Sequence, residues 1–263
     1  MQAPQHSTTI CRFCAARPRG LCRDMQTEAD FETLQVLQYR TRSFRPGTQI
    51  YGPFDVKTHV YNITSGWVSL SHELPGGQRQ ISQFLTTGGL IGYRPIGQSV
   101  NGEIATAIDE VTVCAIPNQN LDALLDIHPR LNHRLIWMLG RDSLVTSHRL
   151  ACVGQAKALT RVAYLLLELL IVATGHTNHS TGTSVRVPLT QGQIADATGL
   201  TAIHVNRMIK QLREEEIVDF HNSTLTVLNF SSLKKTAQLS QDVEAAWVTQ
   251  SSFQLEQGRA WPL

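Results

Sequence analysis

The chain has 263 residues, of which 42% are hydrophobic and 17% are charged, and this composition is that of an ordinary globular protein. Its formal net charge of +2 neither requires nor excludes a nucleic-acid partner. The longest apolar run, Val162 to Ala173, contains Glu168 and is too short to cross a bilayer, so we expect a buried helix and no membrane partner. The N-terminus has neither a basic start nor an apolar run, so we expect a cytoplasmic protein without a signal peptide.

Three cysteines lie close together near the N-terminus. Cys11, Cys14 and Cys22 form a C-x2-C-x7-C array ahead of any segment that is predicted to fold into a core. In a reducing cytoplasm, clustered cysteines bind metal or carry out redox chemistry more often than they form structural disulfides. From these residues alone, zinc, an iron–sulfur cluster and a thiol–disulfide pair all remain open. His6 is a further possible ligand for zinc.

The next segments predict a short helix and then a β-rich domain. The segment from Glu28 to Leu37 has an amphipathic helical pattern. From about Phe44 to Pro117, short segments of alternating apolar residues are separated by Gly and Pro turn signals. This pattern is typical of an antiparallel barrel or sandwich.

A long helix is predicted from His128-Pro129 to about Val153, where Gly154 ends it. It carries two apolar stripes, one through Leu131, Leu135, Met138 and Val145 and the other through Ile136, Leu139, Leu150 and Val153. One stripe can pack on the barrel and the other on a second chain, although a helix wedged between two domains of one chain is the alternative. We predict dimer contacts at Leu131, Leu135, Met138, Leu139, Val145 and Leu150.

The segment LTQGQIADATGLTAIHVNRMIKQL predicts a helix-turn-helix. It follows a second apolar helix, from Ala156 to Thr174, and its own first helix begins with a capping box of Thr190 and Gln193. Gly199 supplies the left-handed turn, and Thr201 caps the second helix. Two short strands around His221-Asn222-Ser223 predict a hairpin wing, and the last residues, from about Ser231, predict a helical remnant with a loose tail.

The second helix of this motif is expected to enter the major groove of double-stranded DNA with its N-terminal residues. Arg207 can contact guanine and Asn206 can contact adenine, each in bidentate fashion. Lys210 and Arg213 are expected to contact phosphates. The predicted DNA-binding residues are Ala202, Ile203, Asn206, Arg207, Lys210 and Arg213.

This order of segments resembles the CRP/FNR family of bacterial transcription regulators. The residues that carry the resemblance are RPGTQIYGP, YNITSGWVSL, GGQRQISQFLTTGGLIG, VTVCAIP and LTQGQIADATGLTAIHVNRMIKQLREEEIV. It implies an α+β fold with an N-terminal antiparallel β-barrel (a jelly roll like that of cyclic-nucleotide-binding domains), a long dimerisation helix and a C-terminal winged helix-turn-helix. It also implies a homodimer that binds a two-fold symmetric operator and contacts RNA polymerase.

The resemblance divides the chain into five segments. They are a cysteine-bearing arm (1–27), a sensor barrel (28–127), a dimerisation helix (128–154), a winged helix-turn-helix domain (155–235) and a C-terminal tail (236–263).

The sensor barrel lacks the residues with which cyclic-nucleotide-binding members hold their ligand. The matching stretch, Ser99 to Ala107, contains no arginine, and Tyr93 stands where a glutamate is expected. A buried phosphate without a cationic partner is costly, so we expect no cyclic nucleotide here.

The FNR branch of the family places three N-terminal cysteines and one barrel cysteine around an oxygen-labile [4Fe–4S] cluster. Cys114 in TVCAIP matches the barrel ligand, and Cys11, Cys14 and Cys22 match those of the arm. The resemblance therefore implies an oxygen-sensing regulator that is dimeric and binds DNA under low oxygen and controls anaerobic or microaerobic genes. Cys152 matches no ligand position, and we expect it to be a small buried hydrophobic residue.

Two other interpretations accompany this one. A regulator of the same family could use its cysteines to bind zinc or as a thiol redox switch. An iron–sulfur redox enzyme is the interpretation from another class, but the sequence has no motif of paired catalytic carboxylates, no nucleophile–base pattern and no phosphate-binding glycine loop. The recognition helix also departs from the FNR pattern, since Ile203 and Asn206 replace the usual Glu and Ser and only Arg207 is kept.

Overall fold

The computed structural model describes residues 11–36, 40–53, 55–56, 58–93 and 102–248. The first domain consists of two four-stranded antiparallel sheets, with strand orders β1-β8-β3-β6 and β2-β7-β4-β5. The strands are β1 (Arg40–Phe44), β2 (Gln49–Tyr51), β3 (His59–Ser65), β4 (Val68–Glu73), β5 (Arg79–Leu85), β6 (Leu90–Ile91), β7 (Ile104–Ala107) and β8 (Val111–Pro117). This architecture confirms the predicted antiparallel barrel.

Alternation along β3 and β8 gives their sheet an inner and an outer face. Tyr61 and Ile63 of β3 join Val111, Val113 and Ala115 of β8 in the core between the sheets. The side chains between them point to the opposite face because successive residues of a strand alternate. That outer face is covered by the N-terminal arm and by helices, and a second apolar core forms there.

Helices and a three-stranded sheet supply the rest of the described fold. The helices are a 3-10 helix (Leu21–Asp24), α1 (Glu28–Val36), α2 (Asn118–Ile127), α3 (Pro129–Gln155), α4 (Ala158–Thr174), α5 (Gln191–Thr198), α6 (Ala202–Glu214), α7 (Phe230–Ala237) and α8 (Gln241–Val248). Pro129 is in the first turn of α3, as predicted. The prediction that Gly154 ends this helix is wrong, because α3 continues through Gly154 to Gln155.

The winged helix-turn-helix has the predicted local structure. Thr190 and Gln193 form the capping box of α5, and Gly199 adopts the left-handed conformation with φ of 66°. The Thr201 side chain accepts a hydrogen bond from the backbone of His204 and caps α6. The wing consists of β10 (Val218–His221) and β11 (Thr224–Val227), and a third strand that the sequence did not predict, β9 (Ser184–Arg186), pairs with β11.

The C-terminal segment is more ordered than the predicted loose tail. Helix α8 packs on α3, and its Val243 and Trp247 are buried in the core of the DNA-binding domain. The Trp247 ring lies 6.4 Å from that of Tyr164, and Lys234 of α7 pairs with Glu244 at 2.5 Å. The predicted loose end from residue 249 onwards lies outside the described residues.

Ion pairs and hydrogen bonds join the DNA-binding domain to the barrel. Arg79 at the start of β5 donates to Asp196 of α5 through Nε (2.9 Å) and a terminal nitrogen (2.6 Å). Arg186 donates to Asp109 at 2.7 Å. A buried pair of Arg149 and Glu168 links α3 to α4. In the described part of the chain, no helix has both the length and the apolar character needed to cross a membrane.

Candidate functional site

Four cysteine thiols line one cavity between the N-terminal arm and the outer face of the β3–β8 sheet. The cavity has a volume of about 60 Å³. Its lining residues are Cys11, Cys14, Cys22 and Cys114, together with Arg17, Leu34, Thr41, Asn62, Thr64 and Ile116. The structure therefore brings together the four cysteines that the sequence selected, although the last lies about ninety residues from the others.

The arm reaches the cavity through a series of tight turns. The backbone of Cys14 donates to the Cys11 carbonyl (3.4 Å), and that of Gly20 donates to the Ala16 carbonyl (2.7 Å). Cys22 lies in the 3-10 helix Leu21–Asp24, which packs on α3 and whose Leu21 is fully buried. With these turns, all three arm cysteines line the same cavity although they are irregularly spaced in the sequence.

Cys114 lies on the outer face of a central strand. Its strand β8 runs between β1 and β3, and its cross-strand neighbours are Thr41 on one side and Asn62 on the other. Ile116, two residues further on, shares this face and is buried. Cys114 is thus supported by strands on both sides, and its thiol is directed toward the arm.

Burial and mutual proximity dominate the electrostatics of the thiols. Burial, with a smaller contribution from Cys11 and Cys14, raises the pKa of the Cys22 thiol to about 12. Burial and the three arm thiols likewise raise the pKa of Cys114. Closely spaced thiolates repel one another, so all of them ionise together only when positive charge is added among them. Metal binding supplies such charge and displaces the protons.

The thiols surround a cavity and do not meet at one point. No three His, Cys, Asp or Glu side chains among the described residues lie close enough together to hold a single metal ion. All five cysteines lie in the described part of the chain, and none is in a disulfide. Cys152 is buried in the core around α4, apart from this cavity, as expected for a small hydrophobic residue. His6 lies outside the described residues.

Arg134 of α3 fastens the arm to the long helix. Its Nε donates to the Gly20 carbonyl (3.2 Å), and a terminal nitrogen donates to the Arg19 carbonyl (2.6 Å). The guanidinium stacks over the Trp137 ring at 4.4 Å. Burial lowers the pKa of Arg134 to about 10, which still leaves it charged at neutral pH. The sequence analysis did not identify Arg134. Its position between Leu131 and Leu135, on the apolar stripe of the helix, could have indicated a buried charged residue with a specific partner.

Arg19 fastens the same arm to the DNA-binding domain. Its Nη1 donates to the carbonyl oxygens of Ala173 (3.0 Å) and Val172 (3.4 Å) at the C-terminal end of α4. Gly175, which ends α4 with φ of 78°, leaves the space for this arginine, since a Cβ there would lie 2.6 Å from Arg19 Nε. The arm therefore contacts the barrel, the long helix and the DNA-binding domain.

The predicted recognition surface is exposed along one side of α6. Ala202, Ile203, Asn206, Arg207 and Lys210 are all exposed, and Ile203 is 77% exposed. The opposite side of α6 is buried through Val205, Met208, Ile209 and Leu212. Helix α6 therefore packs into the domain core with one face and exposes the opposite face to solvent.

Both residues that are predicted to contact phosphate have partners within the chain. Arg213 donates to Asp219 of the wing at 2.5 Å, so its side chain connects α6 to β10. Lys210 lies 3.6 Å from Glu214, one turn along the helix. Both side chains remain largely exposed, and exposed ion pairs of this kind are weak.

One apolar stripe of α3 is buried within the protomer, and the other is largely exposed. Four of the six predicted dimer contacts are buried within their own protomer, and for these the prediction of an interface role is corrected: Leu131, Leu135, Met138 and Val145. Leu139 and Leu150 are exposed, and they share the open face with Ile136. The residues of this open face alternate with small ones, including Gly140 and Gly154, around which a Cβ would meet nothing within 4 Å.

The segment matched to the cyclic-nucleotide loop is only partly described. Ser99, Val100 and Asn101 lie outside the described residues, whereas β7 contributes Ile104 to Ala107 to the barrel. Tyr93 is half-buried and packs against the core beneath the arm.

Comparisons with known proteins agree with this architecture. The model of the cyclic nucleotide-binding domain matches residues 41–128, and that of the Crp-like helix-turn-helix domain matches residues 160–236. The chain is 23% identical to the fumarate and nitrate reduction regulatory protein of Vibrio cholerae over 82% of this chain and 85% of that protein. It is 26% identical to the nitrogen fixation regulation protein FixK of Bradyrhizobium diazoefficiens over 84% of this chain and 90% of that protein.

A solved structure shares the fold. FixK2 from Bradyrhizobium japonicum superimposes with a TM-score of 0.68 at 24% identity, over 77% of this chain and 98% of that one. The two domain matches, the order of the elements and these relatives lead to one assignment. The chain is not an enzyme but a DNA-binding transcription regulator, and it belongs to the CRP/FNR family.

Proposed function

We propose that this regulator senses oxygen through a [4Fe–4S] cluster held by Cys11, Cys14, Cys22 and Cys114, and that its cluster-loaded dimer binds DNA when oxygen is low. The single observation that carries the proposal is the cavity lined by these four thiols. Four thiolates are the ligand set of a cubane cluster, and a cavity between them suits a group larger than one ion. The resemblance to regulators of fumarate and nitrate reduction supports control of anaerobic genes.

The residues present suit such a group for two reasons. The ligands are soft sulfur donors, which favour iron–sulfur clusters. The cavity wall is largely apolar, with Leu34 and Ile116 among its residues. When bound, the cluster would supply an oxygen-labile cross-link between the arm and β8.

Two arginines, Arg134 and Arg19, connect the arm to α3 and α4, so a change in the position of the arm can alter the position of these helices. Arg134 holds the carbonyls of Arg19 and Gly20 on the long helix, and Arg19 holds the C-terminal end of α4. An arm that is fixed to the barrel through Cys22 and Cys114 keeps both contacts in place. An arm released from the barrel loses this fixed position, and the orientation of α3 and α4 is then no longer constrained from this side.

The open face of α3 is the proposed dimer contact. Ile136, Leu139 and Leu150 form an apolar stripe that the protomer itself leaves exposed. Gly140 and Gly154 lie on the same helix, where each costs about 1 kcal/mol of helix propensity relative to Ala. Open space around both glycines allows the close approach of a second helix. Dimerisation through this face would place two copies of α6 on half-sites roughly 34 Å apart.

The remaining parts of the proposal come from the family resemblance. They comprise action in the reducing cytoplasm, contact with RNA polymerase at the promoter, a sensor barrel without a cyclic nucleotide, and the division of the chain at residues 27, 127, 154 and 235. The lack of an arginine between Ser99 and Ala107 supports a barrel that binds no cyclic nucleotide, because the phosphate would have no cationic partner there.

The test is anaerobic purification with iron, acid-labile sulfide and visible absorbance measured before and after exposure to air. We expect four iron and four sulfide per chain in the cubane and a visible band that air bleaches. The Cys114→Ser variant should lose both the iron and the oxygen-dependent DNA binding, whereas Cys152→Ser, as the matched control, should keep them. A colourless protein with stoichiometric zinc contradicts the proposal and favours the zinc-binding regulator.

A further inference from the structure

Helix α8 is an addition to the helix-turn-helix domain. The match to that domain ends at residue 236, and α8 (Gln241–Val248) follows after a turn in which Gln238 adopts the left-handed conformation with φ of 51°. The Ser240 side chain accepts a hydrogen bond from the backbone of Val243 at 3.4 Å. The start of α8 is therefore held by a local contact, and the helix folds back along its own domain.

One face of α8 is buried and the other is exposed. Val243 and Trp247 lie one turn apart on the same face, and they are 1% and 8% exposed. Asp242 lies on the exposed side of the helix. Lys234 of α7 pairs with Glu244 at 2.5 Å, which fixes α8 beside the preceding helix.

Trp247 lies where the DNA-binding domain meets the sensor domain. Its ring is 6.4 Å from that of Tyr164 in α4. It lines a cavity of about 90 Å³ together with Phe84 of β5, Val145 of α3 and Arg19 of the arm. Helix α8 also packs directly on α3. The C-terminal helix of the DNA-binding domain is thus in contact with the long helix and reaches the barrel.

The covalent connection across this junction is short. Helix α3 ends at Gln155 and α4 begins at Ala158, so Ala156 and Lys157 connect them. Each of these residues keeps two rotatable backbone dihedrals, so the orientation of the domain depends on non-covalent contacts such as those of Trp247. Ile203 of the recognition helix remains 77% exposed in this orientation, so α8 leaves that face of α6 open.

We propose that Trp247 is a positioning residue for DNA binding, because it holds α8 against α3 and so fixes the orientation of the DNA-binding domain. A domain that turns freely has to lose this freedom when it binds DNA, which lowers its affinity. A domain that is already oriented in the free dimer reaches the second half-site at a smaller entropic cost. The inference rests on the proposed dimer, but it does not depend on which group the cysteines bind.

The test uses the full chain, purified without oxygen, and two DNA probes. One probe is a two-fold symmetric duplex that the parent protein selects from random-sequence DNA, and the other is the same duplex with one half-site scrambled. Trp247→Ala should lower the ratio of the two affinities by about tenfold or more, because engagement of a second site commonly contributes roughly 100- to 10,000-fold. Trp247→Phe keeps an aromatic ring in the core and should restore most of this ratio.

Asp242→Ala is the matched control, because Asp242 is an exposed residue of the same helix. This variant should keep the parent ratio. A purely structural role of Trp247 would reduce the fraction of folded protein, and both affinities of Trp247→Ala would then fall alike without a change in their ratio.

A second measurement follows the domain junction without DNA. Lys157 is exposed between α3 and α4, and trypsin cleaves after lysine only where the backbone can open locally. We expect cleavage after Lys157 to be several-fold faster in Trp247→Ala than in the parent protein, and unchanged in Asp242→Ala. Mass spectrometry of the fragments identifies the cleaved bond.

The outcomes separate this inference from the proposed function. A lower affinity ratio together with faster cleavage after Lys157 supports the role of Trp247. A dimeric parent protein whose Trp247→Ala variant keeps either the parent ratio or the parent cleavage rate overturns that role alone. Tighter binding of Trp247→Ala to the symmetric duplex also overturns it, because α8 would then hold an orientation that DNA does not accept. A parent protein that sediments as a monomer overturns the proposed dimer and this inference together.

Discussion

Arg19 of the cysteine arm donates a 3.0 Å hydrogen bond to the carbonyl oxygen of Ala173 at the C-terminal end of α4. The last carbonyls of a helix have no partner within that helix and carry its partial negative charge, so a cationic donor is favourable there. The same arginine fits closely against Gly88 of the barrel, where a Cβ would lie 2.7 Å from Arg19 Cβ. One side chain thus joins the segment between Cys14 and Cys22 to the domain that carries the recognition helix.

Replacing Arg19 by Met should uncouple DNA binding from the state of the cysteines. The Met side chain keeps the apolar stem but loses both hydrogen bonds to α4. Allosteric coupling is commonly worth about 1–3 kcal/mol, or roughly 5- to 150-fold in affinity. We expect the ratio of DNA affinities between anaerobic and air-exposed protein to fall toward 1, measured by fluorescence anisotropy with one labelled operator.

The matched control for Arg19 is Arg12→Met. Arg12 lies in the same arm and carries the same charge, but it pairs with the exposed Glu28 of α1. Its loss should leave the affinity ratio close to that of the parent protein. An equal fall of the ratio in both variants would show that the charge of the arm matters and that the contact with α4 does not.

Replacing Arg134 by Met should loosen the arm and destabilise the sensor domain. The carbonyls of Arg19 and Gly20 would lose their buried donor, and an unsatisfied buried group costs about 1–3 kcal/mol. We expect the free energy of unfolding in urea to fall by about 2 kcal/mol for the iron-free, reduced protein. Arg130→Met, an exposed position one turn earlier, should change it by less than about 0.5 kcal/mol. Equal losses at both positions would contradict the structural role of Arg134.

Local patterns predicted much of this molecule because their causes are local. The capping box of Thr190 and the left-handed Gly199 depend on a few neighbouring residues, and both were predicted correctly. The cysteines of the arm and of β8 were associated only through the family resemblance, since no periodicity relates Cys22 to Cys114.

Contacts between distant segments could not be predicted in the same way. The bonds of Arg19 and Arg134 depend on how the arm folds over the barrel, and that path has no sequence period. The assignment of dimer residues failed in part for a related reason. Both stripes of α3 are apolar, and only the packing shows that Leu131 and Val145 face inward while Leu150 faces outward.

A negative charge on the open face of α3 should prevent dimerisation. Ile136 and Leu150 are 60% and 72% exposed, and a carboxylate buried at either position in a symmetric interface would face its own copy. We expect anaerobic Ile136→Asp and Leu150→Asp to sediment as monomers and to lose operator binding. Ile127→Asp is the control, because Ile127 is 65% exposed at the end of α2 and lies off this face. If both Ile136→Asp and Leu150→Asp remain dimeric, the dimer interface does not include this face of α3.

Two neighbouring residues of the recognition helix should contribute to DNA binding in different ways. Arg207 is expected to read a base, so Arg207→Ala should cost about 1–3 kcal/mol on the preferred operator and relax the preference at one position of each half-site. Lys210, one turn along, is expected to contact phosphate, so Lys210→Ala should weaken binding to all sequences alike. It should also reduce the slope of log affinity against log salt by about 1 per contact removed. Anisotropy titrations at several salt concentrations, on a set of operators with single base changes, measure both effects. Lys210 lies near the Glu214 carboxylate. Glu214→Gln should therefore free the Lys210 ammonium to contact phosphate and strengthen non-specific DNA binding. A salt slope that changes with Arg207→Ala but not with Lys210→Ala would exchange the two assigned roles.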